Sequence, residues 1–351
     1  MNQTMQEDIT KLATSGMIPW EAYCGSSVCI SGATGLLGSQ LALALDAHNK
    51  LAQDAPITVY ALARNGEKAA KLFAECTEHL HIMVQDMTAP AKIEGAVDYV
   101  IHAASMTSSR DFVEKPVETI MTNLQASDQM LQLAKEKKSR GFLYLSSLEA
   151  YGIMPEGHGV VREEDYGYIN QLSVRSSYSE GKRITECLCE GYASEYNVPV
   201  KLVRLCQTFG PGVTYGDGRV FAQFARSAIE GTDIVLKTKG ETFRNYCYTT
   251  DAVTAMLTVL AKGETGEVYN IANKESGISI ADMAALVAHE IAEDRIKVVF
   301  DIAEDATKLG YGPVIKLDLA TEKLEALGWK AEVDLKTSLT RLTRYMREIK
   351  E

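Results

Sequence analysis

The sequence has little that would build a metal centre, a disulfide framework, a membrane span or a surface for polyanions. Its seven Cys are scattered through 351 residues, and none forms a C-x-x-C pair. Cys187 and Cys189 fall two apart on a predicted helix, where side chains diverge, so they are poor co-ligands and no metal site is expected. The seven thiols read as reduced packing residues of a cytoplasmic protein. Positive charge is also short: the formal net charge is −11. That balance excludes nucleic acid and anionic membrane as partners, while a local Arg pair could still grip a phosphorylated substrate. No apolar run approaches the length of a membrane span. Residues 1–25 carry Glu7, Asp8 and Glu21 without the apolar segment of a signal peptide; they read as a helical extension, with Trp20 packing on the main domain. Internal repeats and low-complexity tracts are missing as well.

What the chain does have is one glycine-rich stretch around which the rest is organised. Val28-Cys29-Ile30-Ser31 is a short apolar run that ends in Gly32-Ala33-Thr34-Gly35-Leu36-Leu37-Gly38. It feeds directly into Ser39–Leu45, a segment of helix-forming composition. The pattern predicts a strand, a tight turn and a helix. Gly32 lets the chain turn sharply, Gly35 keeps Cβ away from a ligand's phosphates, and Gly38 lets the helix pack closely on its strand. The N–H groups at the start of the helix then favour a pyrophosphate, which makes Gly32, Thr34, Gly35, Leu36, Leu37 and Gly38 candidates for binding a dinucleotide. The second predicted strand, Ile57–Arg64, ends in a cation. At that place an acidic residue suits a ribose 2′-hydroxyl and an Arg suits a 2′-phosphate, so Arg64 leans towards NADP over NAD; the plainer alternative is a solvated Arg. Further strands are predicted at His81–Met87, at Val97–Ser105, where Ala103 and Ala104 allow a close turn, and at Gly141–Leu145. His102, a single His beside that turn, reads as structural.

The candidate chemistry lies at Ser146-Ser147-Leu148-Glu149 and, some 30 residues on, at Tyr178-Ser179-Glu180-Gly181-Lys182. Tyr178 and Lys182 are four apart and share a helix face. A nearby ammonium would lower the Tyr pKa towards working pH, making Tyr178 a base for a substrate hydroxyl, with Ser147 bonding the reacting oxygen.

The order of these features resembles the extended branch of the short-chain dehydrogenase/reductases, of NAD-dependent epimerase/dehydratase type. The order runs glycine turn, Arg-ended strand, small-residue turn, helix bearing Asn123, Ser-Ser strand end, Tyr and Lys. The resemblance implies an α/β fold: a doubly wound parallel sheet (Rossmann) at 26–205 and, at 206–351, a smaller substrate lobe with some segments returning to the sheet. It implies that Asp86 and Met87 meet the adenine, that Ala103 lines the cofactor, that Lys182 holds its ribose, and that Asn123 bends its helix and assists proton relay. The stretches Tyr178–Arg183, Gly216–Val220 and Arg244–Tyr248 are most similar to UDP-glucuronate decarboxylases and dTDP-glucose 4,6-dehydratases. By that likeness Arg219 and Arg244 grip the diphosphate of a nucleoside-diphosphate sugar, and Gln207 stands where the family usually has a substrate-binding Asn. Glu149 is retained for a proton at C5, whereas the dehydratases' Asp is replaced by Leu148. Leu327-Gly328-Trp329 is similar to the family's closing motif. The family often places a substrate-binding Arg after the predicted strand Ile296–Phe300; here Asp301–Lys316 contains none.

Thr250 or Asp251 is expected to cap a helix, 266–272 to return as a strand, and Arg341, Arg344 and Arg347 to lie on a solvated helix face. The combined reading is a homodimeric cytoplasmic enzyme that modifies a nucleotide sugar through transient oxidation at C4. Two alternatives are an NADP-dependent reductase or dehydrogenase of a small carbonyl or alcohol, and a non-catalytic cofactor sensor.

Overall fold

The computed structural model describes residues 1–52, 54–304 and 314–350. Seven strands form one all-parallel sheet: β1 (Ser27–Ser31), β2 (Thr58–Ala63), β3 (Leu80–Val84), β4 (Tyr99–His102), β5 (Gly141–Ser147), β6 (Val200–Leu205) and β7 (Val268–Ile271). Their spatial order is β3-β2-β1-β4-β5-β6-β7, with every pairing parallel. The order reverses between β1 and β4, which opens a crevice at the carboxyl ends of the strands. β1 and β4 are buried along their whole length, as expected of parallel strands covered on both faces.

Ahead of β1 lies α1 (Gln3–Ala13); the crossovers between strands include the helices α2 (Leu36–Asn49), α3 (Pro116–Lys137), α4 (Ser177–Tyr196) and α5 (Thr249–Lys262), and α6 (Leu335–Lys350) follows β7. Of these, α2 and α5 pack with β1 and β5 around one core cluster that includes Val28, Ile30, Leu41, Leu45, Leu143 and Leu257. A second, smaller sheet contains Phe243–Tyr248, flanked by Asn273–Ser279 and Lys316–Leu319, with Gln207–Phe209 beside it. Its own core, built on Phe209, Phe221, Phe224, Tyr246 and Leu339, lies apart from the core of the large sheet. The chain therefore enters the smaller lobe just after β6 and returns for α5 and β7. The expected strand at 296–300 forms as Val298–Phe300, paired with Ile234–Leu236.

Asp251 departs from the expectation of a helix cap. Neither it nor Thr250 caps α5, which starts without a side-chain cap. Asp251 Oδ2 instead accepts the backbone N–H groups of Glu332 and Val333 at 3.0 and 2.9 Å, and burial raises its carboxyl to about 6. The side chain thus fastens the approach to α6 onto the large domain.

Arg341 and Arg344 depart from the solvated face expected of them, whereas Arg347 is exposed. Arg341 donates to Asp8 Oδ1 at 2.6 Å and to the Tyr248 hydroxyl at 3.1 Å, and Tyr248 donates to Asp8 Oδ2 at 2.6 Å. Arg344 pairs with Glu7. The reason is α1: its apolar face (Met5, Ile9, Leu12) belongs to the main core, so Glu7 and Asp8 are carried against α6. Trp20 follows, stacked on His48 of α2 with ring centroids 3.7 Å apart. Removing one partner from a buried, hydrogen-bonded charge pair leaves the other uncompensated. Arg341→Met is expected to destabilise the fold by about 2–3 kcal/mol, measured by urea unfolding; an unchanged midpoint would show that the clasp is only a surface contact.

Candidate active site

The glycine turn has the geometry that its sequence requires. Gly32 has φ +68°, and a Cβ there would lie 2.8 Å from the Ala104 backbone, so the turn after β1 and the small-residue turn after β4 pack directly together. A Cβ on Gly38 would lie 2.3 Å from the Gly32 carbonyl oxygen; helix and turn touch backbone to backbone. Gly35 is the N-cap of α2 and supplies no side chain to its first N–H groups. The opening residues Leu36, Leu37 and Gly38 therefore present donors and the positive end of a 14-residue helix towards the crevice. These features fit a dinucleotide's pyrophosphate. Arg64, just past β2, is exposed. Lys68, which the sequence reading missed, donates from Nζ to the Thr34 carbonyl at 2.8 Å, so it stands at the same turn. Asp86 is exposed, and its Oδ1 accepts from Thr88 N and Oγ1; Met87 beside it is buried. Ala103 donates its N–H to the Ser31 carbonyl.

His102 is structural. It is buried between Ser31 Oγ, 2.6 Å from Nδ1, and Ser127 Oγ, 2.9 Å from Nε2. Burial, aided by the charge of Lys182, drops its pKa to about 3, so it is neutral. Asn123 is buried in α3. Its Oδ1 accepts from Ser105 at 2.8 Å, its Nδ2 finds no partner among the described residues, and that nitrogen would lie 3.1 Å from a Cβ on Gly181. Gly181 thus admits Asn123 to the helix that carries the catalytic candidates.

Ser147 ends β5, and Tyr178 and Lys182 lie on α4. The phenol does not behave as the spacing suggests. Burial and then the charge of Glu149 push Tyr178 up to about 12, against hydrogen bonding to Ser147 and the positive charges of Arg175 and Arg219. Lys182 does not supply the expected lowering. Its Nζ donates to the Leu145 carbonyl at 2.7 Å and stands 5.6 Å from the Tyr178 ring centre. Burial also brings its own pKa down to about 7, despite the opposing charge of Glu186. Glu149 accepts from Arg175 at 3.1 Å and from Ser179 Oγ at 3.3 Å. Arg175 was not foreseen. Its guanidinium lies over the Phe112 ring, which is stacked on Tyr178 with centroids 4.2 Å apart. Only the R-x-x-Y spacing hinted at it. Leu148 points into the main core and not into the site.

On the substrate side, Arg219 is held by Asp217 in a forked pair and still bears on Tyr178. Arg244 is half-buried, and its Nε finds no partner among the described residues, an open donor of the kind a phosphate takes. Gln207 is aligned with Tyr246 at the join of the two lobes. Of the Arg-free stretch 301–316, residues 305–313 lie outside the described residues.

A doubly wound parallel sheet, a cradle of backbone donors at its switch point and a Ser–Tyr–Lys set beside it define a dinucleotide-dependent α/β protein. The chain belongs to the NAD dependent epimerase/dehydratase family, whose model matches residues 28–272. It is 30% identical over 324 residues to UDP-glucuronic acid decarboxylase 1 of Xenopus tropicalis, covering 92% of this chain and 72% of that protein. It is 31% identical over 258 residues to UDP-glucuronic acid decarboxylase 6 of Arabidopsis thaliana, covering 72% and 70%. Among solved structures, UDP-glucose 4-epimerase of Thermotoga maritima superposes with TM-score 0.76 at 22% identity, over 93% of this chain and all of that one. dTDP-glucose 4,6-dehydratase of Streptomyces venezuelae gives 0.73 at 20%, over 92% and 97%. These structural likenesses show the fold.

The backbone contact at Gly38 leads to a direct test. Gly38→Ala is expected to push α2 off the turn, lowering the melting temperature and weakening NAD(P) binding at least about tenfold, as read by calorimetric titration.

Proposed function

We propose that this protein is a redox-neutral nucleotide-sugar enzyme, and that its substrate is a nucleoside-diphosphate hexuronate which it decarboxylates. One observation carries the choice of reaction. Glu149 is the carboxylate whose charge bears on Tyr178, while the neighbouring position is filled by a core leucine. A departing 6-hydroxyl would need an acid there, and Leu148 cannot supply one. A sugar carboxylate needs no such acid to leave, and decarboxylation is the activity in the names of the relatives reported above.

When bound, NAD(P) would supply a hydride acceptor and donor at C4, so that no net reduction would accumulate. The protein's part is protons and position. Tyr178 takes the proton of the C4 hydroxyl as its phenolate, a form that the positive charge of an oxidised nicotinamide would favour, and Ser147 donates to the same oxygen. With a ketone at C4 the C5–C6 bond breaks, carbon dioxide leaves, and the electron pair passes to the C4 oxygen as an enolate. Ser147 and the protonated Tyr178 stabilise that oxygen. C5 then takes up one proton that comes from solvent, with Glu149 as the candidate relay. Arg219 and Arg244 are assigned to the diphosphate. Arg64 and Lys68, both beside the cofactor turn, support NADP as the dinucleotide.

A homodimer is also proposed. Val117, Ile120 and Met121 on α3 and Ile184 on α4 are exposed apolar residues on two helices packed side by side. A second copy would cover them.

The deciding assay incubates the protein with UDP-glucuronate without added nicotinamide and follows products by mass spectrometry. A pentose product with release of carbon dioxide is expected; an isomer of unchanged mass would replace decarboxylation by epimerisation. Steady growth of the reduced-nicotinamide absorbance on adding NADP would favour a simple dehydrogenase. Tyr178→Phe is expected to cut turnover by at least about a hundredfold. Light scattering should give twice the chain mass, and Ile120→Asp with Met121→Asp should shift it to the monomer.

A further inference from the structure

Glu186 lies one turn beyond Lys182 on α4, and β5 and β6 both reach it. Its Oε1 accepts from Ser146, the residue before Ser147 on β5, and from Arg204 Nε at 3.0 Å. Its Oε2 accepts from Arg204 at 2.7 Å. Arg204, on β6, is 1% exposed, an extreme burial for a guanidinium. Its remaining donors reach the Glu163 carbonyl at 2.8 Å and the Tyr166 hydroxyl at 3.1 Å, and its plane lies over the Tyr151 ring. Tyr151 in turn donates to Asn270 of β7. A buried pair of this kind is weak evidence for stability, since apolar residues of the same volume pack as well. Its place is more informative: it ties the strand end bearing Ser147 to the helix bearing Tyr178 and Lys182.

We propose that Glu186 is a positioning residue of the active site, which registers β5 against α4 and places a negative charge one helical turn from Lys182 in a dry interior. The proposal rests on the reading of Lys182 as part of the catalytic set. The groups that face Lys182 support it. From β4 comes neutral His102, from β5 the Leu145 carbonyl and the Tyr144 ring, and from α4 itself Tyr178, Cys189 and Glu186. With the thiol of Cys189 held protonated by burial, Glu186 is the formal negative charge in that set. Arg204 neutralises part of it and fixes its direction. A carboxylate that merely satisfied Arg204 would leave the lysine indifferent to its loss.

The test reads Lys182 without substrate. In ligand-free protein labelled with ¹⁵N-lysine, the Nζ signal of Lys182, assigned by its loss in Lys182→Arg, is titrated with pH. Glu186→Gln should lower the midpoint by about one pH unit or more, and Glu186→Asp should restore most of the difference. Since Glu186→Gln leaves Arg204 buried and unpaired, the double variant Glu186→Gln/Arg204→Gln provides a second route with no lone charge, and a smaller shift in the same downward direction is expected there. An unchanged midpoint in either folded variant overturns the proposal. Full turnover by Lys182→Arg would instead remove the catalytic reading of the lysine and leave the titration result standing.

Discussion

The contact on which the rest of the structure depends is the approach of α2 to the Gly32 turn. At 2.3 Å from an ideal Cβ to a carbonyl oxygen, only a glycine at position 38 fits. That contact sets the height of the helix over the sheet, and hence where its free N–H groups point. Gly32 itself lies against Ala104, so that the β4 turn, the proposed cofactor cradle and β5, which bears the proposed catalytic serine, share one rim. The Ser–Tyr–Lys set acquires its meaning from this rim: a Tyr and a Lys four apart are common, but beside a dinucleotide cradle they have a substrate carbon to work on.

Much of this arrangement was legible in the chain, because it depends on local rules. A strand, a turn that only glycine tolerates and a helix are encoded within a dozen residues. The Tyr–Lys spacing places two side chains on one face whatever the tertiary context. The order of these features along the sequence carried the parallel sheet and its switch point, and the burial of His102 is what a lone apolar-flanked His suggests.

What escaped the reading was set by tertiary contact. Asp251 has the residue type and position of a helix cap, yet a backbone loop 81 residues away claims its carboxylate. Arg341 and Arg344 have the spacing of a solvent face, yet α1 carries acids to meet them. Tyr178 sits near an ammonium in sequence, but burial outweighs that neighbour, and the lysine is turned towards Leu145. Asn123 and Gly181 make a pair that only the packing of two helices discloses. In each case the local pattern was overruled by burial or by a partner that sequence spacing does not disclose.

The union of α1 with α6 bears on how the molecule is made. Thr4 bonds to Glu348 across 344 positions of sequence, and Asp8 waits on Arg341. During synthesis α1 emerges with an acid on its inner face whose counter-charge follows only 333 residues later. The large sheet can assemble in the meantime, but this seam carries the closure entropy of a very long loop. The helix α1 therefore settles late, once α6 has reached it.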